Sequence, residues 1–371
     1  MRFVIAAAFF TIIFTAALAG DLEDGLAAFN RKDYATALTK IRSAAQQGIA
    51  GGQNLLGFMY EAGLGVEKDY KEAVRWYQMA AQQGYKEAQN NLGAMYEEGQ
   101  GVAQDYKEAV RWYHLAAQQG LANAQYNLAL MFDDGKGVAQ DYKEAVRWYQ
   151  LAAKQGLAKA QYNLALMYDK GQGVAQDYKE AVRWYQLAAQ QGSAAAQYNL
   201  GQMYRQGHGV EQDAAEAQQW YELAAKQGYI YAQYNLALMN YKRQEYQAAL
   251  HWFQMAAKQG SAQAQYDLGL LYYLGRGVDM DHKQAMQWFL SAARQGHVKS
   301  QYNLGVMYET GSGVKRDYLR AYMWAKIAAN SGDKDSITNL KIAERHLSSS
   351  QIEEAKKMAQ DCIANDLRTC K

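Results

Sequence analysis

The tryptophans of this chain recur at an almost constant interval. They stand at positions 76, 112, 148, 184, 220, 252, 288 and 324, so that six of the seven intervals are 36 residues and one is 32. A period of roughly 20 to 50 residues is typical of stacked repeats, because one unit cannot bury its apolar face without a neighbour. The 371 residues are therefore predicted to form one array of similar units rather than two or three globular domains.

Each unit is predicted to begin with a helix that ends in a glycine turn. In one unit, Leu164, Ala165 and Tyr168 fall on the same face of this first helix. Gly171 and Gly173 then form a G-x-G pair, which recurs at positions 63/65, 99/101, 135/137, 207/209, 275/277 and 311/313. Glycine adopts positive φ at little cost, so these pairs are predicted to end the first helices.

The second helix of the unit carries its own start and stop signals. Asp177 is predicted to be the N-cap, and Glu180 three residues later gives a capping-box pattern that other units repeat. Val182 and Tyr185 begin a buried stripe, and Gly192 is expected to close the helix with positive φ. The chain has no proline, which favours uninterrupted helices throughout.

The spaced pattern A-x-A-x-x-x-L-G-x-M-Y-x-x-G-x-G-V-x-x-D-x-x-x-A-x-x-W-Y-x-x-A-A-x-x-G resembles the Sel1-like repeat, a relative of the tetratricopeptide repeat, from roughly Gln53 to Gly332. The resemblance implies an all-α fold, a right-handed α-solenoid (superhelix) of about ten antiparallel helix pairs. We expect an N-terminal capping hairpin over 20–48, the repeat array over 49–332, and a C-terminal capping hairpin and tail over 333–371. The 32-residue unit lacks the G-x-G-V turn, which predicts a local change of curvature.

The first 19 residues have the pattern of a secretory signal peptide. Arg2 precedes an apolar run that ends at Leu18, and an A-x-A site predicts cleavage after Ala19. The run is slightly short for a membrane span, and no later segment is long and apolar enough to cross a bilayer. We therefore expect a periplasmic or secreted protein that is not transmembrane.

Both cysteines, Cys362 and Cys370, lie in the last ten residues. In an oxidising compartment we expect them to form a disulfide that closes a small loop and pins the tail. Free thiols are the alternative. A metal site is disfavoured, because neither a histidine nor a second thiol pair stands beside them.

The charge balance and the absence of catalytic motifs reduce the classes of function that the sequence allows. Lys and Arg number 39 against 37 Asp and Glu, so no large basic field is available for nucleic acid. The six histidines show no zinc-ligand spacing, and no nucleophile elbow, phosphate loop or dinucleotide fingerprint occurs. The chain is predicted to be no enzyme and to need no cofactor.

The family resemblance implies an exported scaffold that binds a protein or peptide in its concave groove, in an envelope or host-contact role. The alternative is a β-lactam or penicillin-binding hydrolase, which some Sel1-like proteins resemble. Those relatives are cysteine-rich, whereas this chain has two cysteines.

Two columns of side chains on the first helices are the candidate binding residues. We call the first the Asn column: Asn91, Asn127, Asn163, Asn199, Asn235, Asp267 and Asn303. An amide both donates and accepts, so this column can hold a peptide backbone, or each amide can serve only to fix the repeat stack. Three residues further on lies the Leu column: Ala94, Leu130, Leu166, Gln202, Leu238, Leu270 and Val306. Its variation in size makes it the preferred specificity surface, with packing between helices as the alternative.

Charged and aromatic side chains near these columns leave two interpretations open. A run of acidic residues gives way to basic ones at the ends of the first helices, namely Glu97, Glu98, Asp133 and Asp134 followed by Lys170 and Arg205. This gradient can orient a ligand, or the charges can simply be solvated. The Arg–Trp–Tyr triplets, such as the one centred on Trp148, are predicted to be structural packing rather than a cation–π or base-stacking site.

Overall fold

The computed structural model describes residues 20–365, 367 and 370; the predicted signal peptide and its cleavage site lie outside these residues. All regular structure in the described residues is helical, and the chain divides into two units, one through Ser193 and one from Ala194. Except at the C-terminal end, helices joined by short turns pack against each other as antiparallel pairs, and within a unit each second helix also packs against the next first helix. The predicted all-α repeat architecture is confirmed.

Unit 1 contains five helix pairs in its described residues. They are α1 (20–30), α2 (Tyr34–Gln46), α3 (Ala50–Ala62), α4 (Tyr70–Gln82), α5 (Lys86–Glu98), α6 (Tyr106–Gln118), α7 (Ala122–Asp134), α8 (Tyr142–Lys154), α9 (Ala158–Lys170) and α10 (Tyr178–Gln190). Odd-numbered helices are the first helices of their pairs.

Unit 2 contains four helix pairs in its described residues, followed by two further helices. The pairs are formed by α11 (Ala194–Gln206), α12 (Ala214–Lys226), α13 (Ile230–Lys242), α14 (Tyr246–Lys258), α15 (Ala262–Leu274), α16 (His282–Ala293), α17 (Val298–Thr310) and α18 (Tyr318–Ala329). The last two helices, α19 (Lys334–Glu344) and α20 (Ser349–Ala364), both pack against α18.

The second helices that follow a G-x-G turn begin with an aspartate cap, but the other half of the predicted capping box, the bond from the glutamate back to the cap, is wrong. The Asp105 carboxylate accepts from the backbone N–H groups of Lys107 and Glu108, as predicted for an N-cap. The backbone N–H of Asp105 is already bonded to the Tyr96 carbonyl of α5, at 2.9 Å. The Glu108 carboxylate instead pairs with Arg111 at 3.1 Å. The box forms at α20 instead, between Ser348 and Gln351.

The core of each repeat is built from alanines and aromatic side chains. The paired alanines Ala116 and Ala117 are buried, as is Tyr113. Small side chains allow the helix axes to approach closely. Trp112 is 7% exposed, and the Arg111 guanidinium lies 4.4 Å from the centroid of its ring. The triplet is thus part of the packing, with the arginine covering the indole.

The second glycine of the G-x-G turn allows one hairpin to approach the next. Gly277 has φ +70°, and a Cβ built on it would lie 2.6 Å from the carbonyl oxygen of Tyr246, in the first turn of α14. Gly65 stands in the same relation to Tyr34. The sequence predicts the positive φ of these glycines; the structure adds that this position has no room for a side chain.

Within each unit, a ladder of buried glutamines joins neighbouring hairpins of the repeat array. Gln125 of α7 donates from Nε2 to the Ala117 carbonyl of α6, at 3.2 Å, and its Oε1 accepts from Gln155, after α8, at 2.8 Å. The same pattern connects Gln89 with Ala81 and Gln119. Buried polar groups need partners, so these bonds fix the register of neighbouring hairpins.

The 32-residue repeat is four residues shorter than the others, and the missing residues come from the turn between its two helices. Both α13 and α14 keep 13 residues, but only three residues connect them. Gln244 in this connection has φ +62°, a conformation that the G-x-G turns give to glycine and that Lys32 adopts between α1 and α2. The change of curvature expected at this unit stays a prediction.

The last helix, α20, is followed by a tail that returns to α16. Cys362 and Cys370 are paired, with their Cα atoms 5.3 Å apart. The Arg294 guanidinium donates two hydrogen bonds, of 2.9 and 3.3 Å, to the Cys370 carbonyl. The tail is thereby held against the end of α16.

Candidate functional site

The Asn and Leu columns share the side of the first helices that turns away from the buried stripe. In α5 the buried residues are Ala88, Gln89, Leu92, Gly93 and Met95. Asn91 and Ala94 are half-buried, as are their equivalents along both columns. We call this surface, considered separately in each unit, the first-helix face.

Members of the Asn column bond to neighbouring repeats. Asn91 donates to the Asn54 side chain at 3.1 Å, and Asn127 donates to Asn90 at 3.0 Å. Asn163 donates to the hydroxyl of Tyr149 at 3.1 Å. These contacts give the stacking role a direct structural basis, whereas peptide binding by this column stays a prediction.

The Tyr149 hydroxyl connects three helices. It accepts from Asn163 of α9 and donates to Asp133 of α7, at 3.1 Å, while Tyr149 itself belongs to α8. Burial raises the pKa of Tyr149, so its hydroxyl remains a donor at neutral pH. An amide of the Asn column is therefore one end of a polar chain that crosses a complete hairpin.

Two of the four carboxylates in the predicted charge gradient are structural acceptors. The Glu97 carboxylate accepts from the hydroxyl of buried Tyr113 at 2.7 Å, and Asp133 accepts from Tyr149. Their neighbours Glu98 and Asp134 are exposed, and Asp134 pairs with Lys136 at 2.8 Å. The first acidic residue of each pair points toward the second helix of its hairpin, and its neighbour is exposed. In the sequence, only the position along the helix distinguishes the two.

The sequence contains a signal for this tyrosine–carboxylate contact that the spacing within one helix does not reveal. Where the carboxylate position holds Tyr241 or Tyr273 instead, the second helix carries Phe253 or Phe289 in place of tyrosine. A hydroxyl without an acceptor is costly to bury, which accounts for these two phenylalanines. Tyr221 is an exception, since it keeps its buried hydroxyl although Arg205 stands at the carboxylate position.

The Leu column is half-buried along its length, and Phe58 extends it by one repeat. Phe58 stands 36 residues before Ala94 and is 40% exposed, with its ring 6.2 Å from that of Phe29. The constant period was sufficient to find this residue. The column thus offers apolar side chains that contact the core on one side and remain open on the other.

Asp267 is the acidic member of the Asn column. The hydroxyl of Tyr234 donates to its Oδ2 at 2.9 Å, and Gln263 is also hydrogen-bonded to the carboxylate. Burial raises the pKa of Asp267. Gln263 in turn contacts His297, whose pKa is lowered by burial, so this histidine is neutral near pH 7.

The described residues include no group of three or more His, Cys, Asp or Glu side chains arranged to hold a metal ion. None of the helices in that part of the chain has both the length and the apolar character required to span a membrane.

Comparison with known proteins places these features in a family. The family model for the Sel1 repeat matches eight consecutive segments, residues 50–85, 86–121, 122–157, 158–193, 194–229, 230–261, 262–297 and 298–333. The crystal structure of a protective antigen of uropathogenic Escherichia coli strains is 31% identical, with a TM-score of 0.52, covering 94% of this chain and 92% of that one. A Sel1 repeat protein from Oxalobacter formigenes is 32% identical, with a TM-score of 0.55, covering 73% and 96% respectively. A comparison with curated protein sequences finds no match.

Proposed function

Because this chain belongs to the Sel1 repeat family, we propose that it is an exported scaffold that binds a protein or peptide partner along its first-helix face. Repeats of this family generally mediate protein interactions. The finer proposal is that the partner lies along the Leu column, in the surface that the sequence predicts to be a concave groove.

The observation that carries this proposal is the contrast between a constant frame and a varied surface. The run VAQDYKEAVRWY occurs identically in three repeats, whereas the residue of the Leu column changes from Ala94 through Leu166 to Gln202. Side chains such as Leu166 are half-buried, so a partner gains apolar contact there without any change in the frame. Extended surfaces of stacked repeats are suited to long peptide or protein segments.

Export rests on the signal-peptide pattern of residues 1–19. We propose a periplasmic or secreted location, with an envelope-assembly or host-contact role. The similar Escherichia coli protein is a protective antigen, which supports the host-contact branch. N-terminal sequencing of the protein recovered from the periplasm and from the medium tests both cleavage after Ala19 and the compartment.

Crosslinking capture tests the binding surface. The full chain is incubated with periplasm and with medium, crosslinked and purified, alongside a variant carrying Leu130→Glu and Leu166→Glu. A matched control carries Leu115→Glu and Leu151→Glu, which change exposed leucines of the second helices in the same unit. The proposal expects specific partners with wild type and control but not with the first-helix variant. Equal capture by all three proteins would place the binding surface elsewhere.

A further inference from the structure

Helix α15 departs from the repeat pattern on its first-helix face. Asp267 replaces the asparagine of its column. At the last position of the helix, Leu274 is 47% exposed, whereas the equivalents include the charged residues Glu98, Lys170 and Lys242. Leu274 is thus an exposed apolar side chain at a position where several repeats carry a charge.

These departures surround a small apolar pocket. It has a volume of about 200 Å³ and lies between α15 and α17; its lining includes Leu270, Tyr273, Leu274, Tyr302, Val306 and Met307. Pockets for small-molecule ligands usually measure roughly 300–1,000 Å³. The smaller size of this one is suited to a single aliphatic side chain.

A carboxylate stands one helical turn from the pocket. Asp267 precedes Leu270 by three residues, so the two side chains are neighbours on the helix surface. Asn303, at the position equivalent to Asp267 in the next repeat, lines the pocket itself. Among the described residues no cation forms an ion pair with Asp267, although exposed Lys299 of α17 is close enough to act on it electrostatically.

We propose that the α15–α17 pocket and Asp267 together bind an extended peptide segment of a partner, with an aliphatic side chain in the pocket and a lysine or arginine at the carboxylate. This inference rests on the proposed function and adds the chemistry of the ligand. Charge complementarity selects a basic group, because a half-buried carboxylate rejects an acidic one.

The spacing of the two subsites fits an extended backbone. Side chains three residues apart on a helix have Cβ atoms about 5–6 Å apart. In an extended peptide, residues i and i+2 point to the same side and are about 6.6 Å apart, at roughly 3.3 Å per residue. The long stem of lysine or arginine covers the small difference, so the motif has its aliphatic and basic residues two positions apart.

The experiment uses the full mature chain and fluorescent, end-capped peptides with a glycine–serine background. One peptide carries leucine and arginine two positions apart, a second has glutamate in place of the arginine, and a third has alanine in place of the leucine; each is made in both orders. Binding is measured by fluorescence polarisation. We expect the leucine–arginine peptide, in one order, to bind about tenfold more tightly than the other two.

Two protein variants use residues that the repeat itself provides at these positions. Asp267→Asn restores the residue of the column, and Leu270→Gln introduces the residue found at position 202. Asp267→Asn should weaken the leucine–arginine peptide about tenfold, and it should not weaken the peptide that carries glutamate in place of the arginine. Leu270→Gln should weaken both leucine-containing peptides.

A charge-shifted control combines Asp267→Asn with Asn235→Asp, which keeps the net charge and moves the carboxylate one repeat away. It should bind as weakly as Asp267→Asn alone; recovery of affinity would assign the effect to long-range electrostatics and overturn the inference. Equal affinity for the three peptides, or no binding by any of them, also overturns it. The crosslinking capture uses variants of unit 1 only, so the proposed function is judged independently.

Discussion

Two glycines of one repeat separate the two reasons for which this fold uses glycine. Gly277 and Gly296 both have positive φ, of +70° and +84°. A Cβ on Gly296 would meet no described atom within 4 Å, whereas one on Gly277 would lie 2.6 Å from the carbonyl carbon and oxygen of Tyr246. Replacement by alanine therefore imposes the same backbone penalty at both sites and a steric clash at only one.

The expected losses follow from these contacts. Gly296→Ala should lower the free energy of unfolding by about 1–2 kcal/mol, the cost of the left-handed conformation for an L-residue. Gly277→Ala should lower it by about 2–5 kcal/mol, because overpacking against a backbone that belongs to a helix adds about 1–3 kcal/mol. The clash cannot be relieved by a side-chain rotation, so α14 and the turn must move apart.

Urea unfolding followed by circular dichroism measures both variants against wild type, with the midpoint compared at an unchanged slope. A loss at Gly277→Ala no greater than that at Gly296→Ala would refute the argument that close approach, and not φ alone, requires the second turn glycine.

Three further predictions concern the polar interior and the tail. Tyr113→Phe should lower the free energy of unfolding by about 1.5–3 kcal/mol, because it removes a hydrogen bond to the Glu97 carboxylate. Urea unfolding at pH 7 measures the loss, and an unchanged free energy would mean that Tyr113 and Glu97 are not hydrogen-bonded. Burial raises the pKa of Asp133 in the folded state above its unfolded value, so the folded chain binds the proton more tightly. Wild type should therefore gain stability relative to Asp133→Asn as the pH falls through that raised pKa. Unfolding midpoints of both proteins at pH 7 and at mildly acidic pH test this, and a relative loss of wild-type stability on acidification would contradict it. Without reductant, proteolysis of the exported protein should release a crosslinked peptide containing Cys362 and Cys370, and reduction should destabilise α20 and its tail by about 2.5 kcal/mol. Recovery of both cysteines as alkylated thiols would show that they are free.

Much of the architecture could be predicted from the sequence, because local signals and the period agree. Asp105 caps its helix as its position requires, and Gly277 has the expected positive φ. The glutamate of the predicted capping box pairs with arginine, because the backbone N–H that it would have bonded is already taken by the preceding helix. A contact between helices of this kind cannot be inferred from spacing along one helix.

The candidate surface was less predictable for the same reason. Whether Asn163 is open to a ligand depends on Tyr149 and Asp133, which lie on two other helices. Gln125 occurs in a position that suggests only a polar residue near a core stripe, yet it is buried and bonded on both sides. Repetition shows which positions matter, but the partners of a buried polar group become visible only when the hairpins are stacked.

The glutamine ladder has a consequence for how such a chain can change in length. Gln119, Gln155 and Gln191 each donate to a glutamine 30 residues earlier, at the same distance of 2.8 Å. Excision of the 36 residues from 122 to 157 would bring together two hairpin surfaces that already fit each other, and duplication of the same stretch would do likewise. Gain or loss of one such repeat therefore keeps the glutamine bonds at the new junction, so the length of the array can change without a new way of joining hairpins.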